Sequence, residues 1–287
     1  MRSISIIIAS RNRKNYLINL LHDINKQTFN IKEVLISDQS DKFDKIDSEK
    51  YHFNLIHFRN MSIGPCISRN DAVDKATGEL FVFLDDDARI DVNFIEEIVT
   101  PILESKASAC SGAIVNTNGD YPRNKKSLKV DSDGHFLIQL TKNPNIPKSG
   151  YCNSAPAGCY AILSEVFLEL GKYDTFFDPN GAGEDRDFAI KMILNGYSTF
   201  YNHKAKLYHI GAEVGGRRSV KIMDSLAFRI NIAYILNKYL GTIECNKYRI
   251  TVCLERLKRI LKFDMPTSQF IFLIQFLKST TNKSMNT

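Results

Sequence analysis

Apolar and polar positions along the first hundred residues follow two repeating patterns: short unbroken apolar runs, and helical stripes. Ile4 to Ala9 is a β-branched run and predicts a buried parallel strand. Leu17, Leu20, Leu21 and Ile24 recur at helical spacing over Tyr16 to Ile24 and predict a helix with one apolar stripe. Val34-Leu35-Ile36 predicts a second strand ending at Ser37-Asp38, and Phe53 to Phe58 a third. Gly64-Pro65 opens a helix running through Ala76 and closed by Gly78. Leu80 to Leu84 is the fourth strand. This βαβ alternation predicts an α/β fold with a parallel sheet flanked by helices.

The pattern fades between about residues 116 and 150, where Asn, Asp, Lys, Pro and Gly dominate. So long a stretch inside a compact domain is usually functional or mobile. Gly158 to Leu163 then reads as a strand and Glu165 to Leu170 as a helix. Glu184 to Leu194 reads as a further helix ended by Asn195-Gly196. Two short strands follow, Ser198 to Tyr201 and Ala205 to His209, and then a glycine-rich loop, Gly211 to Arg218. From Ser219 the chain reads as helical in about three segments, broken near Gly241 and at Pro266. The predicted domains are 1–218, with halves 1–115 and 116–218, and a helical extension, 219–287.

Charge is unevenly placed. The net charge is +6, but Arg217 to Lys262 holds eleven Lys/Arg against Asp224, Glu244 and Glu255, a balance of +8. A basic, helix-rich tail predicts an anionic partner, with a solvated helix face as the plain alternative. The apolar runs fall short of the roughly 18 to 20 residues of a membrane span. Ile4 to Ile8 followed by Arg11-Asn12-Arg13-Lys14 reads as a first strand and not as a signal peptide, so the expected compartment is cytoplasmic. The six cysteines form no C-x-x-C pair and read as buried reduced thiols.

Chemistry concentrates in four places. Leu80 to Leu84 ends in Asp85-Asp86-Asp87. Adjacent buried carboxylates are costly unless a cation sits among them, which points to a divalent metal carrying a phosphorylated ligand. Asp85 and Asp87 share one side of an extended chain. Asp38 ends the second strand at the same sheet edge, where it can accept from a base or ribose or simply form a turn. Gly181-Ala182-Gly183 leads into Glu184-Asp185-Arg186-Asp187. There Asp185 is a candidate general base and Glu184 a candidate acceptor ligand, unless both merely favour the helix dipole. His209 suits a third metal ligand. In the glycine-rich loop Arg217 and Arg218 suit a diphosphate clamp, with a plain surface loop as the alternative.

In order and spacing these residues match a known family. The stretches are Ser5 to Arg13, Glu33 to Asp38, Ser68-Arg69-Asn70-Asp71-Ala72, Ala76 to Asp87, Ala157-Gly158, Gly171 to Asp174, Phe176-Phe177, Glu184 to Asp187, Gly196-Tyr197 and His209. Over residues 3 to 240 the chain resembles the family-2 nucleotide-sugar glycosyltransferases of GT-A fold, a mixed sheet flanked by helices. The resemblance implies that Asp38, Ala9 and Arg11 line the nucleotide pocket and that Arg69 lies near the phosphates. Asp85 would face ribose or sugar, and Asp86 would bind the donor with it. Asp87 and His209 would hold Mn2+ or Mg2+, with Asp185 as the base of an inverting displacement. Gln39-Ser40 and Gly171-Lys172-Tyr173-Asp174 depart from the commoner family pattern.

The expected function is transfer of one sugar from a UDP-, dTDP- or GDP-linked donor to a glycan or lipid-diphosphate-linked acceptor, in bacterial surface polysaccharide synthesis. Processive synthases of similar fold carry a Gln-x-x-Arg-Trp motif, and this chain has no tryptophan. Peripheral contact of the C-terminal helices with the inner face of the cell membrane, or a homodimer through them, is expected, and no nucleic acid. Two alternatives compete: a glycan-binding scaffold with a decayed site, and a sugar-nucleotide pyrophosphorylase. The latter would show glycines where Ser10-Arg11-Asn12-Arg13 stands.

Overall fold

The structure, a computed structural model, describes residues 2–121, 144–213, 215–216 and 223–261. These fall into two compact units, 1–219 and 220–287.

In the first unit the β-branched runs become the centre of a sheet. Strand β1 (Ile4–Ser10) lies parallel between β2 (Glu33–Asp38) and β4 (Leu80–Asp85), and β3 (Asn54–Arg59) pairs parallel with β2. Both faces of β1, β2 and β4 are covered, so their sequences run apolar without alternation. One face carries Ile6, Ile8, Val82 and Leu84 against Leu17, Leu20, Leu21 and Ile24 of helix α1 (Lys14–Ile24). On the other, Phe81 and Phe83 join Phe167, Tyr173 and Phe188 in an aromatic cluster with ring centroids 4.9 to 6.5 Å apart.

Beyond β4 the sheet turns mixed. Strands β5 (Ala88–Ile90), β6 (Ala109–Val115), β7 (Gly150–Cys152), β8 (Cys159–Leu163) and β9 (Thr199–His209) complete it, in the order β3-β2-β1-β4-β8-β6-β9-β5 with β7 beside β9. The two short strands expected over 198–209 are one strand. A register shift opposite Gly112/Ala113 bulges the 203–205 stretch, and its polar residues interrupt the apolar pattern. Helix α2 (Pro65–Val73) stops short of Ala76. Helix α3 (Phe94–Leu103) and strands β5, β6 and β7 escape the periodicity reading. Pro101 interrupts the first, and the strands are three residues long or rich in small side chains. Helices α4 (Ser164–Glu169) and α5 (Glu184–Leu194) lie where expected.

In the second unit α6 (Met223–Leu240) and α7 (Thr242–Leu261) meet at Gly241, whose φ of +82° breaks the helix, and pack through Ala233, Cys245 and Val252. Among the described residues no helix is long and apolar enough to cross a membrane. The third expected helical segment, most of the 116–150 stretch, Arg217 and Arg218 lie outside the described residues.

The register fixes where chemistry gathers. Ser10 stands opposite Asp38, and Ala9 opposite Asp85, so the carboxyl ends of β1, β2 and β4 are level.

Candidate active site

The acidic triplet splits into two environments. Asp86 turns inward, with Ser10 Oγ donating to it at 2.8 Å and Arg13 Nη1 at 2.9 Å. Burial pushes its carboxyl up to about 6, opposed by Arg13 and Ser10 and assisted by Asp87. Asp87 is also buried. It accepts from the Ala212 amide at 3.1 Å and pairs with the same Arg13 Nη1 at 3.1 Å. Asp85 at the strand end remains two-fifths exposed. The cation among the three acids is thus in part Arg13, a residue the motif reading left without a role. Its signal was the basic cluster directly after the first strand.

Strand β5 pairs with β9 so that Ala88 faces His209, and this brings the imidazole to the acids. His209 Nε2 lies 3.7 Å from Asp87 Oδ1. One ligand atom each from Asp85, Asp87 and His209 lies within 4.8 Å of the others. Two carboxylates and an imidazole are a donor set suited to a borderline divalent cation, and partial exposure of Asp85 and His209 leaves it approachable.

Arg69 projects from α2 and is almost fully buried. Its Nη2 donates to Asp85 at 3.0 Å and its Nη1 to Glu184 at 3.5 Å, with the guanidinium carbon 5.9 Å from the Tyr173 ring centre. Burial alone would lower its pKa, but Asp85 and Glu184 raise it, so the cation is kept. Through Arg69 the Asp85–Asp87–His209 cluster is joined to the first turn of α5, which carries Asp185. That turn opens at Gly183, whose φ of +106° sets the chain into the helix.

On the β2 side, Asp38 is buried and engaged. Its Oδ2 lies 3.1 Å from His57 Nε2, and Oδ1 accepts from the Ser40 amide at 2.8 Å. Gln39 points elsewhere, exchanging two hydrogen bonds with the backbone of Gly64. Arg11 lies 3.9 Å from Asp41, near the rim. Gly215 and Gly216 adopt positive φ and press on Arg11–Arg13, where an added Cβ would come within 2.7 Å of Arg11 O and of Arg13 Cζ respectively. Here the glycines provide close approach.

The model for the family described as glycosyl transferase family 2 matches residues 5–164. An uncharacterized glycosyltransferase of Haemophilus influenzae is 25% identical over 246 residues, covering 84% of this chain and 78% of that one. The GalNAc(5)-diNAcBac-PP-undecaprenol beta-1,3-glucosyltransferase of Campylobacter jejuni is 24% identical over 222 residues, and the match spans 73% of this chain but 65% of the relative. The structure of S. aureus TarS 1-349 in complex with UDP-GlcNAc superposes with a TM-score of 0.62 at 19% identity, covering 96% of this chain and 79% of that chain. GalNAc-T7 with UDP, GalNAc and Mn2+ gives a TM-score of 0.58 at 20% identity, over 83% of this chain and 48% of that one. These likenesses show the GT-A fold.

Proposed function

The chain belongs to glycosyl transferase family 2, and from that premise we propose that it moves one sugar from a nucleotide-sugar donor to an acceptor hydroxyl, with metal assistance and inversion. The observation that carries this reading is the joining of two acid groups by one arginine. Asp85, Asp87 and His209 cluster on one side of Arg69, and Glu184 with its neighbour Asp185 stands on the other.

The donor set fits a divalent cation, Mn2+ or Mg2+, held by Asp85, Asp87 and His209. When bound, it supplies positive charge for the departing diphosphate. The chain's own residues do the rest. Arg69 fixes the Asp85 carboxylate, and Arg13 keeps Asp86 and Asp87 compatible with burial. Asp38 and its neighbours Ala9 and Arg11 border the nucleotide, and Arg217 and Arg218 are retained as candidates for its phosphates. Glu184 orients the acceptor, and Asp185 takes the hydroxyl proton as the oxygen attacks the anomeric carbon and the nucleoside diphosphate leaves. One displacement with no nucleophilic side chain inverts the anomeric centre.

The Campylobacter relative, named for an undecaprenol-linked acceptor, supports a lipid-diphosphate acceptor and a role in bacterial surface glycans. A peripheral membrane contact suits that acceptor. Ile243, Ile250 and Leu254 are 73%, 60% and 53% exposed and recur at i, i+7 and i+11, which is one stripe of α7 beside Lys247. The match to a glycosyl transferase model speaks against the pyrophosphorylase alternative. The decayed-scaffold alternative is separated by turnover. Hydrolysis of UDP-, GDP- and dTDP-sugars is measured with Mn2+ or Mg2+ and then with EDTA. Turnover of one donor class, abolished by EDTA, is expected. Binding of donor and metal without turnover would favour the scaffold.

A further inference from the structure

Helix α2 delivers Arg69, yet it begins without a cap of its own. Its N-cap is Gly64, which has no side chain, and Pro65 at the first position has no N–H. The amides of Cys66 and Ile67 would be left open. Asp178, over a hundred residues further along the chain, closes both. Its two carboxylate oxygens accept from Cys66 N at 3.0 Å and Ile67 N at 2.9 Å. Gly64 is shaped to this carboxylate. Its φ is +144°, and an added Cβ would stand 2.1 Å from Asp178 Cγ.

Two more reciprocal clamps hold the same helix. Asn70 donates to Tyr173 O at 2.8 Å and accepts from Tyr173 N at 3.1 Å. Gln39 brackets Gly64 from the β2 side. The helix is therefore fastened to the 173–178 segment at its first turn and at Asn70, and Arg69 lies between the fastenings. Its contact with Glu184 is long, 3.5 Å, and its Nε has no hydrogen-bond partner among the described residues. The guanidinium's position thus depends on where α2 sits more than on its own bonds. A small displacement of the helix would break the Glu184 contact first.

We propose that Asp178 is a positioning residue for glycosyl transfer, pinning the first turn of α2 so that Arg69 holds Asp85 and Glu184 in register. Burial raises the carboxyl's pKa, and the two amide bonds oppose that rise without cancelling it. The activity part of this inference rests on the glycosyl-transfer reading above.

The test compares Asp178→Ala and Asp178→Asn with Asp47→Ala, which removes a side-chain cap from the single turn Ser48–Lys50. Hydrolysis of UDP-GlcNAc and UDP-glucose with Mn2+ gives kcat and KM. Amide hydrogen exchange reports the first turns of α2 and α5. In D178A, kcat is expected to fall about 10- to 100-fold with KM within about threefold of wild type. Protection should drop at Cys66 and Ile67 and also at Arg186 and Asp187, reached through Arg69 and Glu184. D178N, whose amide oxygen can accept one of the two bonds, should lie between, and D47A should leave kcat unchanged. Wild-type kcat in D178A overturns the proposal, as does wild-type kcat in D178N with α2 protection lost, should D178A fail to fold. If the wild type hydrolyses neither donor, nor a GDP- or dTDP-sugar, it is the glycosyl-transfer reading that fails. The latch is then judged by exchange alone, and loss confined to Cys66 and Ile67 overturns it.

Discussion

Gly158 stands directly under the Asp85 carboxylate: a Cβ added at Gly158 would lie 2.1 Å from Asp85 Oδ2. The Gly158 carbonyl also accepts the Asp85 amide at 3.2 Å, so the two backbones cannot easily separate. A methyl group at 158 must therefore swing the carboxylate away from Arg69 and from the Asp87–His209 pair. The expected outcome for Gly158→Ala is a folded protein whose transfer rate falls on the order of 100-fold, the effect of misplacing a reacting group by about 1 Å. Calorimetry with Mn2+ and UDP should show weaker binding. Wild-type binding and rate in this variant would mean that Asp85 has no part in the site.

Arg13 is the next test, because it separates the folding role of the triplet from the chemical one. Arg13→Ala leaves Asp86 and Asp87 buried without their cation. Removing one partner of such a group costs about 3 kcal/mol. Urea unfolding of the metal-free variant should show that loss. Arg13→Lys should recover part of it, since an ammonium carries the charge but not the planar fork. A variant as stable as wild type would show that the pairs are held by other contacts.

Much of the half up to residue 115 could be read from the sequence, and the reason is burial. Strands β1, β2 and β4 are covered on both faces, so an unbroken apolar run identifies each one, and its polar end marks the sheet edge where Asp38 and Asp85 stand. Glu184 to Leu194 was legible because glycines bound it and acids open it. The roles of Arg13, Gly158 and Asp178 were not. Each acts on a partner at least 73 positions away, and periodicity within a window carries no such information. Asp86 shows the same limit. It was expected among the donor-binding residues, and the structure shows its carboxylate accepting from Ser10 and Arg13.

Asp38 predicts a pH dependence. Burial acts to raise its pKa, but hydrogen bonds with His57 and Ser40 outweigh it and hold the carboxyl below its usual value. A carboxylate depressed in the folded state stabilises the protein above the unfolded value and loses that contribution as pH falls through the folded value. The stability difference between wild type and Asp38→Asn should therefore be widest above about pH 5 and shrink below about pH 4. Thermal unfolding across that range checks it. A difference that grew on acidification would reverse the assigned sign.

The exposed stripe of α7 gives a prediction independent of catalysis. Ile250→Asp, or the pair Ile243→Asp and Leu254→Asp, places a charge on a face that in our reading meets lipid headgroups. Flotation with anionic vesicles should carry the wild type and leave the variants behind, while donor hydrolysis in solution is unchanged. Equal flotation with neutral vesicles would remove the basic tail from the explanation. Failure to float, together with dimeric mass in solution, would assign the stripe to a second copy of the chain.

Asp185 carries the sharpest claim about the chemical step. It lies in the first turn of α5, next to Glu184, which Arg69 holds at 3.5 Å, and its Oδ1 accepts from the Arg186 amide at 2.8 Å. The side chain is thus oriented from its own helix terminus while its neighbour is tied through Arg69 to Asp85. Asp185→Asn keeps the shape and removes the base. If proton removal from the acceptor is its task, kcat for transfer should fall about 10²- to 10⁴-fold with donor KM nearly unchanged, because in the proposed site the donor is held across Arg69. Slow hydrolysis of the donor, in which water replaces the sugar alcohol, should fall in step. If instead Asp185 only favours the helix terminus, D185N should lose stability and keep its rate, and the base must then be sought elsewhere in the cleft, beginning with Glu184.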